Sequence, residues 1–355
     1  MELTDLGYDG YFENYRTENN LDFQQIARVI AEHKERYIIR ALSGELEAEI
    51  TGNMRYAAEG REDFPAVGDW VSFVSYDPGF AIINKIFPRF SAIKRQAAGG
   101  KGEVQLIAVN VDYAFLVQSA GHDFNINRFE RYLTVCYSSK VSPVILLTKT
   151  DLITDEQLSL LIESINQRIE GVPVLAISNA TMAGYDKLNQ AIERGKTYCL
   201  LGSSGVGKSS MINNLSGRNV MKTDEISWST NKGKHVTTHR ELVLLESGGI
   251  LIDNPGMREV GIADTTNGLE KTFDKIIALS EGCKYKDCTH IHESGCAVLE
   301  AIESGEIDKH SYENYLKMHK EKAYFESTQA ERKKKEKQMG KLLKNYNKEF
   351  RKDKR

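Results

Sequence analysis

Between Ala27 and about Arg95 the apolar residues come in short bursts. Glu45-Leu46-Glu47-Ala48-Glu49-Ile50 alternates charged and apolar positions, the period of a half-buried strand. Val71-Ser72-Phe73-Val74 and Phe80-Ala81-Ile82-Ile83 predict two more strands, separated by the turn signal Asp77-Pro78-Gly79. Several short strands in so little chain predict a small β-barrel. An oligonucleotide-binding-type (OB-like) barrel fits the length, and an SH3-like barrel would share the pattern. Lys94 and Arg95, near Gly99-Gly100, read as the rim of a linker, with contact to phosphate as the alternative. The first 25 residues are polar and aromatic, with no usable period.

From Gln105 the texture changes. Leu106–Val109, Tyr113–Val117, Pro143–Leu147 and Val172–Ile177 are near-continuous apolar runs, and helical patterns at Phe129–Tyr137 and Glu156–Glu170 separate some of them. Buried strands alternating with helices predict a mostly parallel sheet covered on both faces. Two later strands are expected at Glu241–Leu245 and Ile250–Asp253, joined through Gly248-Gly249. Past about Gly268 the chain becomes helical and polar.

The strand-like run Thr197–Leu201 leads into Gly202-Ser203-Ser204-Gly205-Val206-Gly207-Lys208-Ser209, and a helix is expected over Ser209–Leu215. This is a phosphate-binding loop in its proper strand–loop–helix setting. Its glycines let backbone N–H groups close on phosphate oxygens, with the positive end of the helix behind them. Lys208 would reach the β- and γ-phosphates, and the Ser209 hydroxyl would ligate Mg²⁺, with Ser210 beside it. About 45 residues on, Asp253-Asn254-Pro255-Gly256 ends an apolar strand, where Asp253 would sit beside the Mg²⁺ and Gly256 would face the γ-phosphate. Between them, Gly233-Lys234-His235-Val236-Thr237-Thr238-His239 resembles a switch loop, in which Thr237 or Thr238 would meet Mg²⁺.

Thr148-Lys149-Thr150-Asp151 closes the strand at 143–147. It resembles a guanine-reading motif, in which the Asp151 carboxylate accepts from the ring N–H and exocyclic amine. The competing reading is a helix cap at Asp151 or Thr154 ahead of Glu156-Gln157. Ser178 follows 27 residues later at another strand end, where a loop would meet the guanine carbonyl. These elements precede the phosphate loop, whereas ordinary guanine-nucleotide switches place them after it. The carboxyl ends of parallel strands all meet at one edge, so rejoining the chain elsewhere leaves such a site intact.

Five cysteines are present, and three fall within fourteen residues. Cys283, Cys288, His290 and Cys296 form a Cys₃His set suited to one structural zinc, with His292 a spare imidazole. Cys136 and Cys199 read as small buried residues. No apolar run is long enough to span a bilayer, and the acidic start lacks a secretory layout, so a cytoplasmic protein is expected. The net charge of −3 hides an asymmetry. Residues 331–355 hold 12 basic and 4 acidic side chains, net +8, while the other 35 basic and 46 acidic residues give −11. A basic tail on an acidic body suggests an anionic partner, and a solvated charged helix is the competing reading.

Motif order, the His235–His239 segment and the cysteine cluster together resemble the circularly permuted, ribosome small subunit-dependent GTPases (the RsgA or YjeQ family). The resemblance implies an N-terminal OB-like barrel, a permuted central α/β P-loop GTPase domain and a mostly helical C-terminal zinc domain. The corresponding boundaries are 1–25 for an extension, 26–100, 101–267, 268–330, and 331–355 for a basic helix or tail. It implies GTP and GDP as ligands, Mg²⁺ and Zn²⁺ as cofactors, and GTP hydrolysis stimulated by the small ribosomal subunit during its late assembly. The subunit and its rRNA are the expected partners, no membrane is involved, and the protein is expected to be a monomer. Two other readings are a GTP-controlled RNA-binding module whose hydrolysis is incidental, and an unrelated P-loop ATPase with a structural zinc. Thr148 stands where the usual base motif has Asn, Asn179 where alanine is common, and Val236 where the family has threonine. Met257 follows Gly256 where ordinary small GTPases carry a water-orienting glutamine, and a thioether cannot do that work. The resemblance gives that role to His235.

Overall fold

Strand β1 (Ile26–His33) is buried along most of its length because three strands share it. In a computed structural model, residues 2–33, 36–96, 104–121, 123–217, 240–253 and 266–326 are described. Ahead of β1, helix α1 (Gly10–Glu18) packs Phe12 against Tyr8, Trp70 and Phe90. The aromatic residues that lack a period in sequence therefore form a satellite core.

β1 pairs antiparallel with β2 (Arg36–Ala41), and β2 with β3 (Gly44–Ile50). Short helix α2 (Gly52–Ala57) is capped by the Thr51 side chain and leads toward β4 (Trp70–Asp77) and β5 (Phe80–Ile86). β3 pairs parallel with β5, β5 antiparallel with β4, and β4 returns to Ile26–Arg28 of β1. The five strands thus close into a ring, which leaves no long free edge between them. Alternate residues of β2 and β3 point inward, as the alternation in 45–50 requires.

Past Arg28 the free edge of β1 takes a new partner, with Ala31 opposite Glu241 and Glu32 opposite Arg240. The ring is continuous there with the main sheet. A separate two-stranded ribbon joins β6 (Ala92–Gln96) to β7 (Val104–Val109). The apolar run at 106–109 is therefore not a strand of the parallel sheet. It is buried between the two larger layers, which gives it the same apolar signature.

The main sheet collects β8 (Tyr113–Ser119), β9 (Ser142–Thr148), β10 (Val174–Ala176), β11 (Thr197–Gly202), β12 (Arg240–Leu244) and β13 (Ile250–Asp253). Its order is β10-β9-β8-β11-β13-β12, parallel throughout except for the last pair. Helices α3 (Ile126–Ser138) and α4 (Asp155–Arg168) pack on one face, α5 (Tyr185–Gln190) and α6 (Lys208–Ser216) on the other. Cys136 and Cys199 are fully buried in the first of these layers.

The C-terminal region is helical: α7 (Thr266–Thr272), α8 (Asp274–Ser280), α9 (Ala297–Glu303) and α10 (Lys309–Glu326). Among the described residues no helix is long and apolar enough to cross a membrane.

Two buried charges mark the seams. Arg28 donates from Nε to Gly68 O (3.2 Å), and from Nη2 to Asn110 O (3.3 Å) and Thr197 Oγ1 (2.9 Å). It also donates to Leu6 O and lies over the Trp70 ring, and burial pushes its pKa down to about 10. Glu130 of α3 is chelated by Arg168, with Oε1 accepting from Nε at 2.7 Å and Oε2 from Nη2 at 2.8 Å. It also accepts from Ser311 Oγ (2.7 Å) and Asn314 Nδ2 (2.6 Å) of α10. Gly268 lets α7 approach α3 closely, since a Cβ there would lie 2.1 Å from Thr134 O.

Candidate nucleotide site and metal centre

β8, β9, β10, β11 and β13 run parallel, so their carboxyl ends open at one edge of the sheet. The segments expected to carry chemistry follow four of them. After β11 the loop 203–207 leads into α6. Gly205 and Gly207 have φ of +82° and +95°, a region that costs other L residues strain. A Cβ on Gly202 would lie 2.5 Å from Val117 O, so that position has no room for a side chain. Ser203 is half-buried, Val206 is buried, and Ser204 and Gly205 are exposed. Ser209 and Ser210 are half-buried in the first turn of α6.

Lys208 is largely buried, and its Nζ donates to Gly202 O (2.8 Å) and Ser203 O (2.6 Å). Burial pushes its pKa down to about 8, against an opposing pull from the Asp253 carboxylate. An ammonium held at a desolvation cost gains from an arriving anion. Asp253 ends β13 and is 4% exposed.

The segment 148–151 reaches the same loop. Thr148 Oγ1 donates to Val206 O at 2.6 Å and approaches Gln118 O at 3.3 Å. Threonine therefore provides a donor to the phosphate loop from the position where the base motif usually has asparagine. Lys149 adopts a left-handed φ of 57°, which turns the chain into a short 3₁₀ helix at Thr150–Leu152. Ser178 Oγ donates to Asp151 Oδ1 (2.6 Å) and accepts from the N–H groups of Ala180 (3.2 Å) and Thr181 (3.1 Å). Asp151 is exposed. The cap of α4 is Thr154, in a reciprocal box with Gln157. The competing cap reading of this segment thus belongs to Thr154, and Asp151 is held by Ser178 instead.

Asn179, Tyr185 and Asn214 complete the junction, and the sequence reading gave none of them a role. Asn179 Nδ2 donates to Gly207 O at 2.9 Å, and Tyr185 Oη donates to Asn179 Oδ1 at 2.7 Å. The signal for Asn179 was its departure from alanine. Tyr185 and Asn214 carry no motif. His235, Val236, Thr237, Thr238, Gly256, Met257 and the tail 331–355 lie outside the described residues.

The second centre is local. The ligand atoms of Cys283, Cys288, His290 and Cys296 all lie within 4.8 Å of one another. Cys283 Sγ and Cys296 Sγ are 3.8 Å apart, and His290 Nδ1 lies 3.5 and 3.4 Å from them. Four ligands at the corners of a tetrahedron with a metal–sulfur bond of about 2.3 Å would place sulfurs about 3.8 Å apart. The donor set and spacing both fit zinc. His290 takes a left-handed φ of 61°, and Tyr312 hydrogen bonds its carbonyl. His292 is exposed and outside the cluster.

Comparison with known proteins agrees with this geometry. A sequence-family profile described as RsgA GTPase matches residues 86–263, half of the chain. A second, described as 50S ribosome-binding GTPase, matches 197–337. The chain is 40% identical over 348 residues to a Bacteroides thetaiotaomicron protein named small ribosomal subunit biogenesis GTPase RsgA 1, covering 96% of each. The crystal structure of YjeQ from Thermotoga maritima superposes with a TM-score of 0.60 at 24% identity, over 83% of this chain and 96% of that one. That of YloQ, described as a circularly permuted GTPase, gives 0.60 at 24%, over 85% and 96%. The fold they share is a circularly permuted P-loop GTPase fold, and by sequence this chain belongs to the RsgA GTPase family.

Proposed function

We propose that this GTPase binds the small ribosomal subunit and hydrolyses GTP in the subunit's late assembly, with the subunit stimulating turnover. The observation that carries the reading is the bond from Thr148 Oγ1 to Val206 O, beside Ser178 on Asp151. It joins a base-selective carboxylate and a phosphate loop into one site, although the chain between them is long. Guanine offers two N–H donors to Asp151, while adenine offers an acceptor and no amine there. Losing charge-assisted bonds of roughly 1.5–3 kcal/mol each gives about a hundredfold discrimination or more.

In this reading Gly202 to Gly207 cradle the phosphates with backbone N–H groups, Lys208 neutralises the β- and γ-oxygens, and Ser210 lies close by. The Lys149 stem covers the base, and the loop at Ser178 meets the guanine carbonyl. The oxygen donors of Ser209 and Asp253 suit a hard cation, so Mg²⁺ would be held there, with Thr237 or Thr238 completing its shell. Gly256 would face the γ-phosphate, and His235 would supply the catalytic group that Met257 cannot. A bound Mg²⁺ supplies charge neutralisation, while this chain's residues bind, orient and exclude water. Cys283, Cys288, His290 and Cys296 would hold one structural Zn²⁺.

The boundaries at 25, 100, 267 and 330 divide the working parts, and the ring of β1–β5 is of OB type, supported by its order 1-2-3-5-4-1. The barrel and the basic tail 331–355 would contact rRNA in a monomeric, cytoplasmic protein. The test is hydrolysis of GTP and ATP, each with and without purified small subunits. Stimulation confined to GTP with subunits is expected. Equal rates in all four arms would overturn the reading.

A further inference from the structure

The base loop and helix α6 are fastened together by a closed polar chain. On α6, Asn214 Nδ2 donates to Tyr185 Oη at 3.0 Å and to Asn179 O at 3.3 Å. Tyr185 Oη donates onward to Asn179 Oδ1 (2.7 Å), and Asn179 Nδ2 donates to Gly207 O (2.9 Å). Gly207 is the N-cap of α6, so the circuit returns to the helix it left, two turns earlier. Tyr185 is buried at the start of α5, and burial pushes its phenol up to about 12, which keeps the proton on the oxygen that donates. Donors and acceptors follow one another in a consistent sense, the arrangement in which such bonds reinforce each other.

Gly207 is shaped for this contact. A Cβ there would lie 2.5 Å from Asn179 Nδ2, in addition to the strain of its positive φ. The attachment is distinct from the one at Thr148, which reaches Val206 from a different strand end. Alanine at 179 would leave Tyr185 Oη and Gly207 O without this partner.

We propose that Asn179, oriented by Tyr185 and Asn214, is a positioning residue that locks the base-reading loop to the phosphate loop and thereby sets guanine selectivity. The inference rests on the nucleotide reading given above. If the lock sets the distance between the two ends of the ligand, releasing it lets the phosphates bind while the base end drifts. Selectivity then falls more than overall affinity requires. A role confined to fold stability would weaken all nucleotides alike.

The experiment measures GDP and IDP affinity, with melting temperature alongside, for the full chain and for Asn179→Ala, Asn179→Asp and Tyr185→Phe. IDP lacks only the exocyclic amine. The parent is expected to prefer GDP. Asn179→Ala should lose about tenfold for GDP, as one to two hydrogen bonds imply, and the GDP-to-IDP preference should fall several-fold. Asn179→Asp keeps the shape but replaces the donor to Gly207 O with an acceptor, so it should do no better than alanine. Tyr185→Phe should shift the preference in the same direction by less, and it provides the reading if the Asn179 variants fail to fold. An unchanged preference in every folded variant would overturn the lock while leaving the site reading intact. A parent indifferent to GDP and IDP would overturn the reading of Asp151 and this inference with it.

Discussion

The candidate metal centre draws its four side chains from the fourteen residues Cys283–Cys296, whereas the candidate nucleotide site gathers side chains from Thr148 to Asp253 at the ends of separate strands. The first needs only a short knuckle and its metal. The second needs a correctly ordered sheet, because nothing local places Asp151 near Gly207. The seams differ in the same way. The ring joins the sheet through backbone pairing of β1 with β12, while the C-terminal helices dock on α3 through side chains around Glu130. One attachment is an extension of the sheet, and the other is a side-chain cluster that substitution can release. The two centres should therefore respond independently to damage.

The largest expected effect comes from removing the metal. Structural zinc binding in small domains is worth about 10–16 kcal/mol, so chelation should unfold the 283–315 region. Hydrogen exchange should show protection lost there and retained in β8–β11, with GDP affinity within about twofold. Parallel loss of nucleotide binding would end the claim of independence.

Glu130→Ala takes the chelating carboxylate from the half-buried Arg168, which keeps Asn127 and, at 3.6 Å, Asp308, and should cost about 3 kcal/mol, read as a lower melting temperature. Removing both charges, as Glu130→Gln with Arg168→Gln, should restore part of the loss. Weaker protection of α10, with GDP affinity near that of the parent, would confirm a separable seam.

Lys208→Met should remove charge-assisted bonds to phosphate of about 3 kcal/mol, roughly a hundredfold in GTP affinity. Metal content should stay at one per chain. Isothermal titration and metal analysis read the two outcomes side by side.

The legibility of the sequence follows the same division. The phosphate loop, the Cys₃His cluster and the alternation at 45–50 are local patterns, and each lies where its spacing implies. The permuted arrangement was legible because the motifs fall at strand ends, which a parallel sheet brings to one edge whatever their order in the chain. Arg28 and Glu130 had no signal, since a buried charge looks like a surface charge until its long-range partners are known. The run at 106–109 was buried as expected but paired with β6, because hydropathy reports burial and not partner. Asn179 stood out as a departure from family pattern, yet its bond to Gly207 depends on a neighbour 28 residues away.

The most direct test of a single guanine site spanning Asp151 and Lys208 is displacement of bound GDP by GTP and by ATP, in the parent and in Asp151→Ala. In the parent, GTP should displace at near-equal concentration and ATP should fail at about hundredfold excess. In Asp151→Ala that gap should narrow by tenfold or more. Displacement of GDP by ATP at parity in the parent would contradict the account.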